Sequence, residues 1–403
     1  MRRVMVTGMG VAAGSARDKS AFAGMCFAGK GSIRECSVFD AKGLSTAYVG
    51  QMEDLEVPED GGNGRFLALL ELAAQGLLSD AGLSREDIAA FGRRCRMFFG
   101  TLIYNAEPTR RHCLAKQEGR SRESSDLARQ NHFSLSAKKL LGVKGQATVV
   151  SSACASGTTA IGMAMECIRS GICECAVAGG VDSLAQSTAY GFHALKSMSR
   201  GVTNPFDETR DGINIGECGA LFFLESLEHA KARGASIMGE IAGFALSNDA
   251  YHITSPRPDG EGAYQTMKGA LDDAGISPAD IGYINAHGTG TEINDSMETK
   301  AMERLFGEVE GEIPVSSTKA LLGHAMGASG AIELAAVLLS LEQGKYIPMP
   351  NLANSIVTAK NLRLGSESFP LDAEYALKNS FAFGGNSAAL VVRRFAANGE
   401  GTA

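Results

Sequence analysis

The sequence predicts an α/β fold that contains the same unit twice. Residues 78–88 (LSDAGLSREDI) and residues 271–281 (LDDAGISPADI) share Leu, Asp, Ala, Gly, Ser, Asp and Ile at matching places. Each segment is typical of a helix that ends at the glycine after Asp-Ala, because glycine readily takes the left-handed conformation of a helix C-cap. Each then begins a new turn at its serine and leads into an apolar strand. Such self-similarity is the signature of a duplicated unit.

A second pair of segments repeats in the same order. The peptide VSS at 150–152 precedes Cys154, and the same peptide at 315–317 precedes Lys319. Both follow β-like runs and precede helical patterns rich in Gly and Ala, so we expect Lys319 to hold in the second copy the place that Cys154 holds in the first. Alternating strands and helices predict an α/β fold in two halves, 1–245 and 246–403, related by a pseudo-two-fold axis.

Charge, hydropathy and cysteine content argue against a nucleic-acid-binding, a membrane-spanning or a disulfide-stabilised protein. The net charge is −7 and no long Lys/Arg run occurs, which argues against a nucleic-acid partner. No apolar stretch approaches the ~20 residues of a membrane span. The nine cysteines are odd in number and follow no disulfide framework, which predicts reduced thiols and a cytoplasmic protein. Glycine is abundant, at 49 of 403 residues, and predicts many tight turns and close backbone approaches.

Cys154 stands where a buried strand ends and a helix begins, within the small-residue segment SSACASG at 151–157. At a helix N-terminus the macrodipole and free backbone N–H groups favour a thiolate. Small neighbours let a substrate carbonyl approach, and nearby N–H groups can bind its oxyanion. On this segment alone, an inert buried cysteine is an equally good interpretation.

Two histidines and a lysine follow in the second half. His287 ends an apolar strand before the small-residue run GTGT, and active groups commonly emerge at strand C-termini in α/β folds; the alternative is a core histidine. Lys319 and His324 lie in the segment STKALLGHAMGASG at 317–330, which lacks the P-loop pattern. Glu333 stands in an otherwise apolar helix and is predicted to pair with Lys319, because a buried carboxylate needs such a partner.

Three further motifs carry less weight. The segment NSFAFGGNS at 379–387 precedes the last strand and can present backbone N–H groups to an anion. The pattern GMGVAA at 8–13 matches a dinucleotide-binding motif but lacks the second strand ending in an acidic residue that such a site needs. Cys173 and Cys175 form a C-x-C without a second pair at zinc spacing, so we interpret them as the start of a buried strand.

Taken together, these motifs resemble those of the β-ketoacyl-acyl-carrier-protein synthases, elongating condensing enzymes of the thiolase superfamily that act in fatty-acid and polyketide synthesis. The resemblance extends over almost the whole chain and includes NPFD at 204–207 and SNDAYH at 247–252. It implies the thiolase fold, a duplicated five-layered αβαβα arrangement. It also implies an acyltransferase that condenses a cysteine-bound acyl chain with malonyl-acyl carrier protein, giving 3-oxoacyl-acyl carrier protein and CO2.

The same resemblance implies a role for each site residue. Cys154 would carry the acyl chain, and His287 and His324 would donate hydrogen bonds to the enolate oxygen. Lys319, paired with Glu333, would orient the site. The remaining positions are the backbone N–H groups of Cys154 and Phe383 as oxyanion donors, Phe383 also as a gate, Asp249 as a supporting residue, and Thr289, Thr291, Ile103 and Phe381 as substrate-binding residues.

No cofactor is implied as required, since the carrier protein brings its own 4′-phosphopantetheine. A structural Na+ or K+ at Asn285, Glu333 and Asn379 is the one metal that the resemblance suggests. The expected partners are acyl carrier protein with its malonyl and acyl thioesters, and a second subunit. That subunit is another copy of the chain or a chain-length-factor-like protein. We expect neither nucleic acid nor a membrane as a partner.

The sequence departs from the family's pattern in places that affect substrate and partner. Ile103 and its bulky neighbours replace a glycine-rich loop and can reshape the acyl pocket. The basic helix that usually meets the acidic carrier protein retains only Arg65, and the candidates to replace it are Lys196, Arg200 and Arg210.

Three related classes of protein fit less well. Thiolases use a second cysteine near the C-terminus, whereas the last cysteine here is Cys218. Enzymes of the chalcone-synthase type use Cys-His-Asn, whereas this chain offers Cys-His-His. Chain-length factors keep the fold but lose the nucleophile, which is present here as Cys154.

Overall fold

The computed structural model describes residues 1–57, 64–104, 106–119 and 130–395. The strands in these ranges are β1 (Val4–Ala12), β2 (Ile33–Glu35), β3 (Tyr48–Gly50), β4 (Cys95–Gly100), β5 (Ala147–Val150), β6 (Cys175–Asp182), β7 (Cys218–Ser226), β8 (Gly239–Asn248), β9 (Ile281–Asn285), β10 (Ile313–Ser316), β11 (Leu362–Arg363), β12 (Tyr375–Phe381) and β13 (Asn386–Arg394). The helices are α1 (Lys19–Phe27), α2 (Gly64–Ala81), α3 (Arg85–Ala90), α4 (Ala106–Gln117), α5 (Gln130–Leu141), α6 (Ser156–Arg169), α7 (Gln186–Ala194), α8 (Leu227–Ala232), α9 (Glu261–Ala274), α10 (Glu292–Phe306), α11 (Lys319–Leu322) and α12 (Ser329–Gln343). Short 3-10 helices cover Gly92–Arg94, Ala153–Ala155, Pro278–Asp280, Met326–Ala328 and Phe383–Gly385. None of the helices in these ranges is both long enough and apolar enough to cross a membrane.

One large sheet carries both copies of the repeated unit. Its strand order is β11-β10-β9-β12-β13-β8-β1-β7-β6-β4-β5, and β2 and β3 form a separate ribbon. In the first copy β1, β7 and β6 pair antiparallel, and β6, β4 and β5 pair parallel. In the second copy β8, β13 and β12 pair antiparallel, and β12, β9 and β10 pair parallel. The same order and the same directions confirm the predicted α/β duplication.

Helices lie between the two copies and on their outer faces. α6 and α12 pack against each other at the centre, where apolar residues of both helices and of the facing strands form the largest core. α2 covers β1 and β7, and α9 covers β8 and β13, each over a core of its own. Parallel strands need apolar cover on both faces. The result is the five-layered αβαβα arrangement of the thiolase fold.

The two segments that indicated the repeat end their helices in the same way. α2 and α9 stop before Gly82 and Gly275, whose φ angles of 62° and 70° lie in the left-handed region. Ser84 and Ser277 then each form a capping box with the aspartate three residues on. Both C-caps are therefore as predicted. The predicted division of the chain at residue 245 falls inside β8, the first strand of the second copy.

The second pair of segments aligns differently from the prediction. In the first copy Ala153, with a φ of 51°, opens the 3-10 turn before α6. In the second copy Met326, with a φ of 49°, opens the 3-10 turn before α12. Cys154 therefore corresponds to Gly327, and the prediction that Lys319 takes its place is wrong. Lys319 instead begins α11, inside a segment that the second copy adds before its turn.

Candidate active site

One cavity brings together side chains from both copies. Cys154 comes from the turn before α6, His287 from the end of β9, and His324 from the segment between α11 and α12. Phe381 and Phe383 reach the cavity from the end of β12 and the turn after it. Its other lining residues are Phe192, Ser197, Ile213, Thr254, Pro256, Thr289, Thr291, Ile293, Asn294 and Ala382. The predicted thiol and both predicted imidazoles thus meet in one place.

The turn that carries Cys154 is tight and buried. The left-handed backbone of Ala153 turns the chain sharply from β5 into α6. Ser156 closes this turn, because its Oγ donates to Ala153 O at 2.5 Å and accepts a backbone N–H bond at 2.9 Å. Gly157 allows α12 to approach, since a Cβ there would lie 2.9 Å from Ala331 N. The small residues of this segment are therefore needed for close packing between the two copies.

The Cys154 thiol is less acidic than its place at a helix start predicts. Burial raises the pKa of Cys154 to about 12, and the Lys319 ammonium opposes this rise only in part. Desolvation of the charged form outweighs the favourable charges nearby. At neutral pH the buried group is therefore a thiol rather than the expected thiolate.

His324 is a neutral imidazole that can donate from Nε2. Its Nδ1 accepts a hydrogen bond from the backbone N–H of Met326 at 3.1 Å and lies 2.9 Å from Ser329 Oγ. A backbone N–H can only donate, so the proton of the neutral ring is on Nε2. Burial, and then the charges of Lys319 and Lys378, hold the pKa of His324 well below its ordinary value.

His287 has the same tautomer for a different reason. Lys319 Nζ lies 3.2 Å from Nδ1 of His287 and 2.6 Å from its carbonyl oxygen, and an ammonium can only donate. The ring proton of His287 is therefore also on Nε2. Glu298 holds this segment by accepting from the backbone N–H groups of His287 and Gly288 at 2.7 and 2.8 Å. Burial, and then the Lys319 charge, hold the pKa of His287 well below its ordinary value.

The two imidazoles face the same space. Their ring centroids are 5.4 Å apart and their planes meet at 86°. Both rings are buried and line the cavity beside Cys154. Two neutral N–H donors in a cavity of low polarity can stabilise an oxygen that gains negative charge during a reaction.

Lys319 and Glu333 form the predicted buried ion pair, between Nζ and Oε1. A second lysine, Lys378 of β12, lies 2.9 Å from the other carboxylate oxygen, Oε2. Burial lowers the pKa of Lys378 to about 8, and the Glu333 charge opposes this shift. Lys378 is therefore an ammonium at neutral pH. The sequence analysis did not identify it, although a lysine inside an apolar strand was a signal that could have done so.

Phe383 lies in the turn between β12 and β13 and contacts Phe192. The two rings stack with centroids 5.8 Å apart and planes at 29°. Gly384, which follows, has a φ of 77° and donates its N–H to Ile253 O at 2.7 Å. Asp249 supports the same turn, because its backbone N–H donates to the carbonyl of residue 385 at 3.1 Å. A glycine hinge beside a stacked ring suits the predicted gate, whose role stays a prediction.

The predicted substrate-binding residues divide into two groups. Thr289 and Thr291 line the cavity with their Oγ1 atoms 2.9 Å apart, and Phe381 lines it 6.2 Å from the His287 ring. Ile103 is not among the lining residues. It packs in the apolar cluster that also includes Ile213 of the cavity wall, and its role in substrate binding stays a prediction.

The three residues predicted to hold a monovalent cation do not face one point. Asn379 Nδ2 lies 3.4 Å from Glu298 Oε1 and 3.3 Å from Met267 Sδ, on the α9 and α10 side of β12. Glu333 lies on α12, and each of its oxygens is already paired with a lysine. The amide oxygens of Asn285 and Asn379 and the Oε2 atom of Glu333 are buried and accept no hydrogen bond among the described residues, but Oε2 lies 2.9 Å from the Lys378 ammonium. However, the carboxylate that would balance an ion's charge is already taken, so these residues do not fit a bound Na+ or K+.

A carboxylate that the sequence analysis missed joins the two copies beside the cavity. Asp182, the last residue of β6, accepts from Gly327 N at 2.8 Å, from Thr101 Oγ1 at 2.6 Å and from Ile103 N at 3.0 Å. It thereby ties the loop after β4 to the turn before α12. An acidic residue that closes an apolar strand was the available signal.

The basic residues considered for carrier-protein binding behave differently from one another. Arg65 pairs with the buried Glu217, with Nε 2.7 Å from Oε2, and Arg210 donates to a serine hydroxyl of α10 at 2.8 Å. Both are engaged within the fold. Lys196 and Arg200 are exposed, on the segment that follows α7 and contributes to the cavity lining. They remain the candidates for binding an acidic partner.

Comparisons with known proteins identify the family to which this chain is similar. The family model described as Beta-ketoacyl synthase, N-terminal domain matches residues 1–230, and the model described as Beta-ketoacyl synthase, C-terminal domain matches residues 238–353. A relative from Staphylococcus aureus (strain N315), 3-oxoacyl-[acyl-carrier-protein] synthase 2, is 33% identical over 98% of this chain and 99% of its own. The solved ishigamide ketosynthase/chain length factor is 31% identical with a TM-score of 0.88, over 98% of this chain and 100% of its own. A type II PKS ketosynthase bound to the hexaketide and in complex with its acyl-carrier protein is 31% identical with a TM-score of 0.86, over the same shares.

Proposed function

The chain belongs to the β-ketoacyl synthase family, and from this premise and its cavity we propose that it condenses an acyl chain on Cys154 with malonyl-acyl carrier protein. The products are 3-oxoacyl-acyl carrier protein and CO2, so the protein is an acyltransferase of fatty-acid or polyketide synthesis. One observation carries the assignment of residues. A thiol from the first copy and two imidazoles that donate from Nε2, from the second copy, line one cavity.

The reaction begins when the acyl chain moves from its carrier protein to Cys154. The sulfur attacks the thioester carbonyl, the bond from that carbonyl to the pantetheine sulfur breaks, and the thiol proton leaves with pantetheine. The oxyanion that forms on the way is held by the backbone N–H groups of Cys154 and Phe383. The N-terminus of α6, a helix of 14 residues, adds a favourable field for negative charge at Cys154.

The second step releases CO2 from the malonyl thioester. As the bond to the carboxylate breaks, its electron pair moves to the α-carbon and negative charge collects on the thioester oxygen. His287 and His324 donate from Nε2 to this enolate oxygen, and neither ring has to change its protonation state to do so. Neutral donors already in place avoid the cost of reorganising solvent during the reaction.

The third step forms the carbon–carbon bond. The enolate carbon attacks the acyl-Cys154 carbonyl, and the tetrahedral intermediate collapses by expelling the Cys154 sulfur, which recovers a proton from water. Lys319 acts through His287, because its ammonium faces Nδ1 and the carbonyl oxygen of that residue. Glu333 fixes Lys319 in turn, so the pair orients the site rather than moving protons.

The mouth of the cavity offers contacts for the carrier protein and its arm. Thr289 and Thr291 present hydroxyl groups to the pantetheine amides. Lys196 and Arg200 supply positive charge for an acidic carrier protein, which the −7 net charge of the chain would otherwise repel. Ile253, which is 79% exposed next to lining residue 254, adds an apolar contact.

A second subunit and a cytoplasmic location complete the proposal. β5 is the last strand of the sheet among the described residues, and Val149 on it is 40% exposed, which suits pairing with another chain. That chain is a second copy or a chain-length-factor-like subunit. All nine cysteines are free, which supports a reducing compartment. The residues that act in the three steps require no cofactor beyond the pantetheine of the carrier.

Reconstitution with purified carrier proteins tests the proposal. We expect 3-oxoacyl-carrier product and CO2 from acyl- and malonyl-carrier substrates of a graded chain-length panel, detected by mass spectrometry, and none from Cys154→Ser. Lys196→Glu with Arg200→Glu is expected to raise KM for the carrier substrates about ten-fold at unchanged kcat, whereas Lys268→Glu, on the outer helix α9, leaves KM unchanged. The absence of product from the wild-type protein with every chain length would contradict the proposed reaction.

A further inference from the structure

Lys378 is a buried lysine that takes no part in the three proposed chemical steps. It lies in β12 and is 0% exposed. Its Nζ donates to Thr158 Oγ1 at 2.7 Å and to Ser380 Oγ, and lies 2.9 Å from Glu333 Oε2. The ammonium thus has two hydroxyl acceptors and one carboxylate oxygen in ion-pair contact. Because burial of an unpaired charge costs many kcal/mol, these three partners at this depth identify a built site for positive charge.

The two oxygens of Glu333 are shared between two lysines. Oε1 pairs with Lys319 and Oε2 with Lys378. Lys319 also reaches His287, at 3.2 Å from Nδ1. Lys378 therefore holds the carboxylate of Glu333 in place. That carboxylate holds the ammonium of Lys319, which in turn selects the tautomer of His287. This chain of contacts connects β12 to the reacting atoms although Lys378 touches none of them.

The space around the Lys378 ammonium is closely filled. A Cβ at Gly330 of α12 would lie 3.1 Å from Lys378 Nζ and 2.1 Å from Thr158 Oγ1. Thr158 and Ser380 are also 2.9 Å apart through their hydroxyl oxygens. An additional monovalent ion at this carboxylate would displace the ammonium and would face the positive charge of Lys319.

We infer that the Lys378 ammonium is a built-in cation, which takes at Glu333 the place that a bound Na+ or K+ would otherwise take. Lys378 is a positioning residue that holds Glu333, Lys319 and, through them, His287 in the donor tautomer. The enzyme therefore works without a monovalent metal ion. The activity readout of this inference rests on the proposed function, whereas its stability readout does not.

The wild-type protein provides the first test. Condensation rate and thermal midpoint are measured in NaCl, KCl and choline chloride at equal ionic strength. We expect both quantities to be the same in the three salts, with rates agreeing within about two-fold. A rate or midpoint that falls when choline replaces Na+ and K+ would overturn the inference. If the wild-type protein forms no product in any salt, the proposed reaction fails, but the midpoints still test the built-in cation.

Two substitutions then separate charge from volume. Lys378→Met keeps most of the side-chain volume without charge, and we expect kcat to fall about ten-fold or more in every salt, with KM for malonyl-carrier protein unchanged. Lys378→Ser leaves a space and a hydroxyl beside Glu333. We expect this variant to be slow in choline chloride and to regain rate in NaCl or KCl, because a small ion can then enter.

Restoration by ions is the readout that a merely structural lysine would not produce. A Lys378→Met variant with wild-type kcat, or a folded Lys378→Ser variant with one rate in all three salts, would overturn the inference. Lys268→Met serves as the control, since this exposed lysine pairs with Asp272 on α9, far from the chemical steps proposed above, and all measured quantities should match wild type. If neither variant folds by circular dichroism, the wild-type salt series decides the question.

Discussion

The turn before α6 and the turn before α12 have the same backbone structure but different roles. Each begins with a non-glycine residue of positive φ, 51° at Ala153 and 49° at Met326, and each leads through a 3-10 turn into a serine that starts a central helix. The first turn carries the Cys154 thiol. The second carries Gly327 at the matching position, with its N–H bound to Asp182.

The connections that precede the turns differ as much as the turns agree. Residues 151–152 separate β5 from the first turn, whereas residues 317–325 separate β10 from the second. Lys319 and His324 both lie in this longer connection. Each copy of the duplicated unit thus contains the same sharp turn before its central helix. The first copy places a nucleophile on it, and the second copy places Lys319 and His324 in an insertion beside it.

Giving the first turn the residue of the second should have the largest effect. Cys154→Gly removes the only atom that can hold the acyl chain in the cavity, so we expect condensation to fall at least ~1,000-fold. The thermal midpoint should change little, because Gly327 demonstrates that this turn accepts glycine. Mass spectrometry of the protein after incubation with acyl-carrier substrate should find no acyl adduct at residue 154. An acyl adduct on another residue of the cavity, or a retained rate, would break the comparison.

Adding a side chain to the second turn tests why it carries glycine. A Cβ at Gly327 would lie 2.8 Å from Leu102 N and 2.9 Å from Asp182 Oδ2. We therefore expect Gly327→Ala to lower the free energy of unfolding by ~1–3 kcal/mol, as overpacking of a buried site does. Gly201→Ala is the control, because no atom lies within 4 Å of a Cβ placed there. Equal stability of the two variants in urea titrations would show that the second turn is not constrained by Asp182.

The inserted lysine should affect the pH dependence of decarboxylation. The pKa of His287 lies well below its ordinary value because of burial first and the Lys319 charge second. A lowered pKa keeps the imidazole neutral as the pH falls, so malonyl decarboxylation by the wild type should stay level down to about pH 6. Lys319→Met removes the second cause, and the pKa of His287 then rises toward its ordinary value.

We expect the acid limb of the Lys319→Met profile to begin at a higher pH than that of the wild type, with a loss of up to about four-fold at pH 6 relative to pH 8. The rate of CO2 release across this range is the measurement, and Lys268→Met is the control with an unchanged profile. An acid limb at the same pH in both proteins would mean that Lys319 does not set the charge state of His287.

Relief of the positive φ in the first turn should have the smallest effect. Ala153→Gly removes a left-handed strain of ~1–2 kcal/mol but adds ~0.5–1 kcal/mol of backbone entropy to the unfolded chain. We expect the free energy of unfolding to rise by up to ~1 kcal/mol. Ala164→Gly within α6 is the matched control, where glycine should lower it by ~1 kcal/mol. If Ala153→Gly lowers the free energy of unfolding as much as Ala164→Gly does, the backbone at residue 153 is not strained.

The parts of the site that could be predicted were those with a local pattern. Repeated segments predicted the duplication, and small residues around Cys154, His287 and His324 predicted a reactive centre. The inserted connection was missed because the peptide VSS recurs before it and made Lys319 seem the counterpart of Cys154, whereas the backbone conformation at Met326 identifies Gly327. Lys378 was missed because alternating residues of a buried strand point to opposite faces, and only the packing of α12 shows that one of these faces contains Glu333.

The packing of Ile103 was not predictable either. Its loop after β4 is held by Asp182 of a different strand, which accepts hydrogen bonds from the backbone N–H groups of Leu102 and Ile103. A contact of this kind joins residues about eighty positions apart and leaves no trace in the local sequence. The role predicted for Ile103 therefore rests on the family's pattern, whereas its packing followed only from the tertiary structure.

Separate assay of acylation and decarboxylation in His324→Ala tests the division of labour between the two turns most directly. One sample, given acyl- and malonyl-carrier substrates in turn, is analysed for the intact mass of the protein and for released CO2. We predict a normal acyl adduct on Cys154 together with a fall in CO2 release of ~100- to 10,000-fold, because the variant loses one of the two enolate donors and keeps the nucleophile. An unacylated protein that still releases CO2 at the wild-type rate would contradict the account.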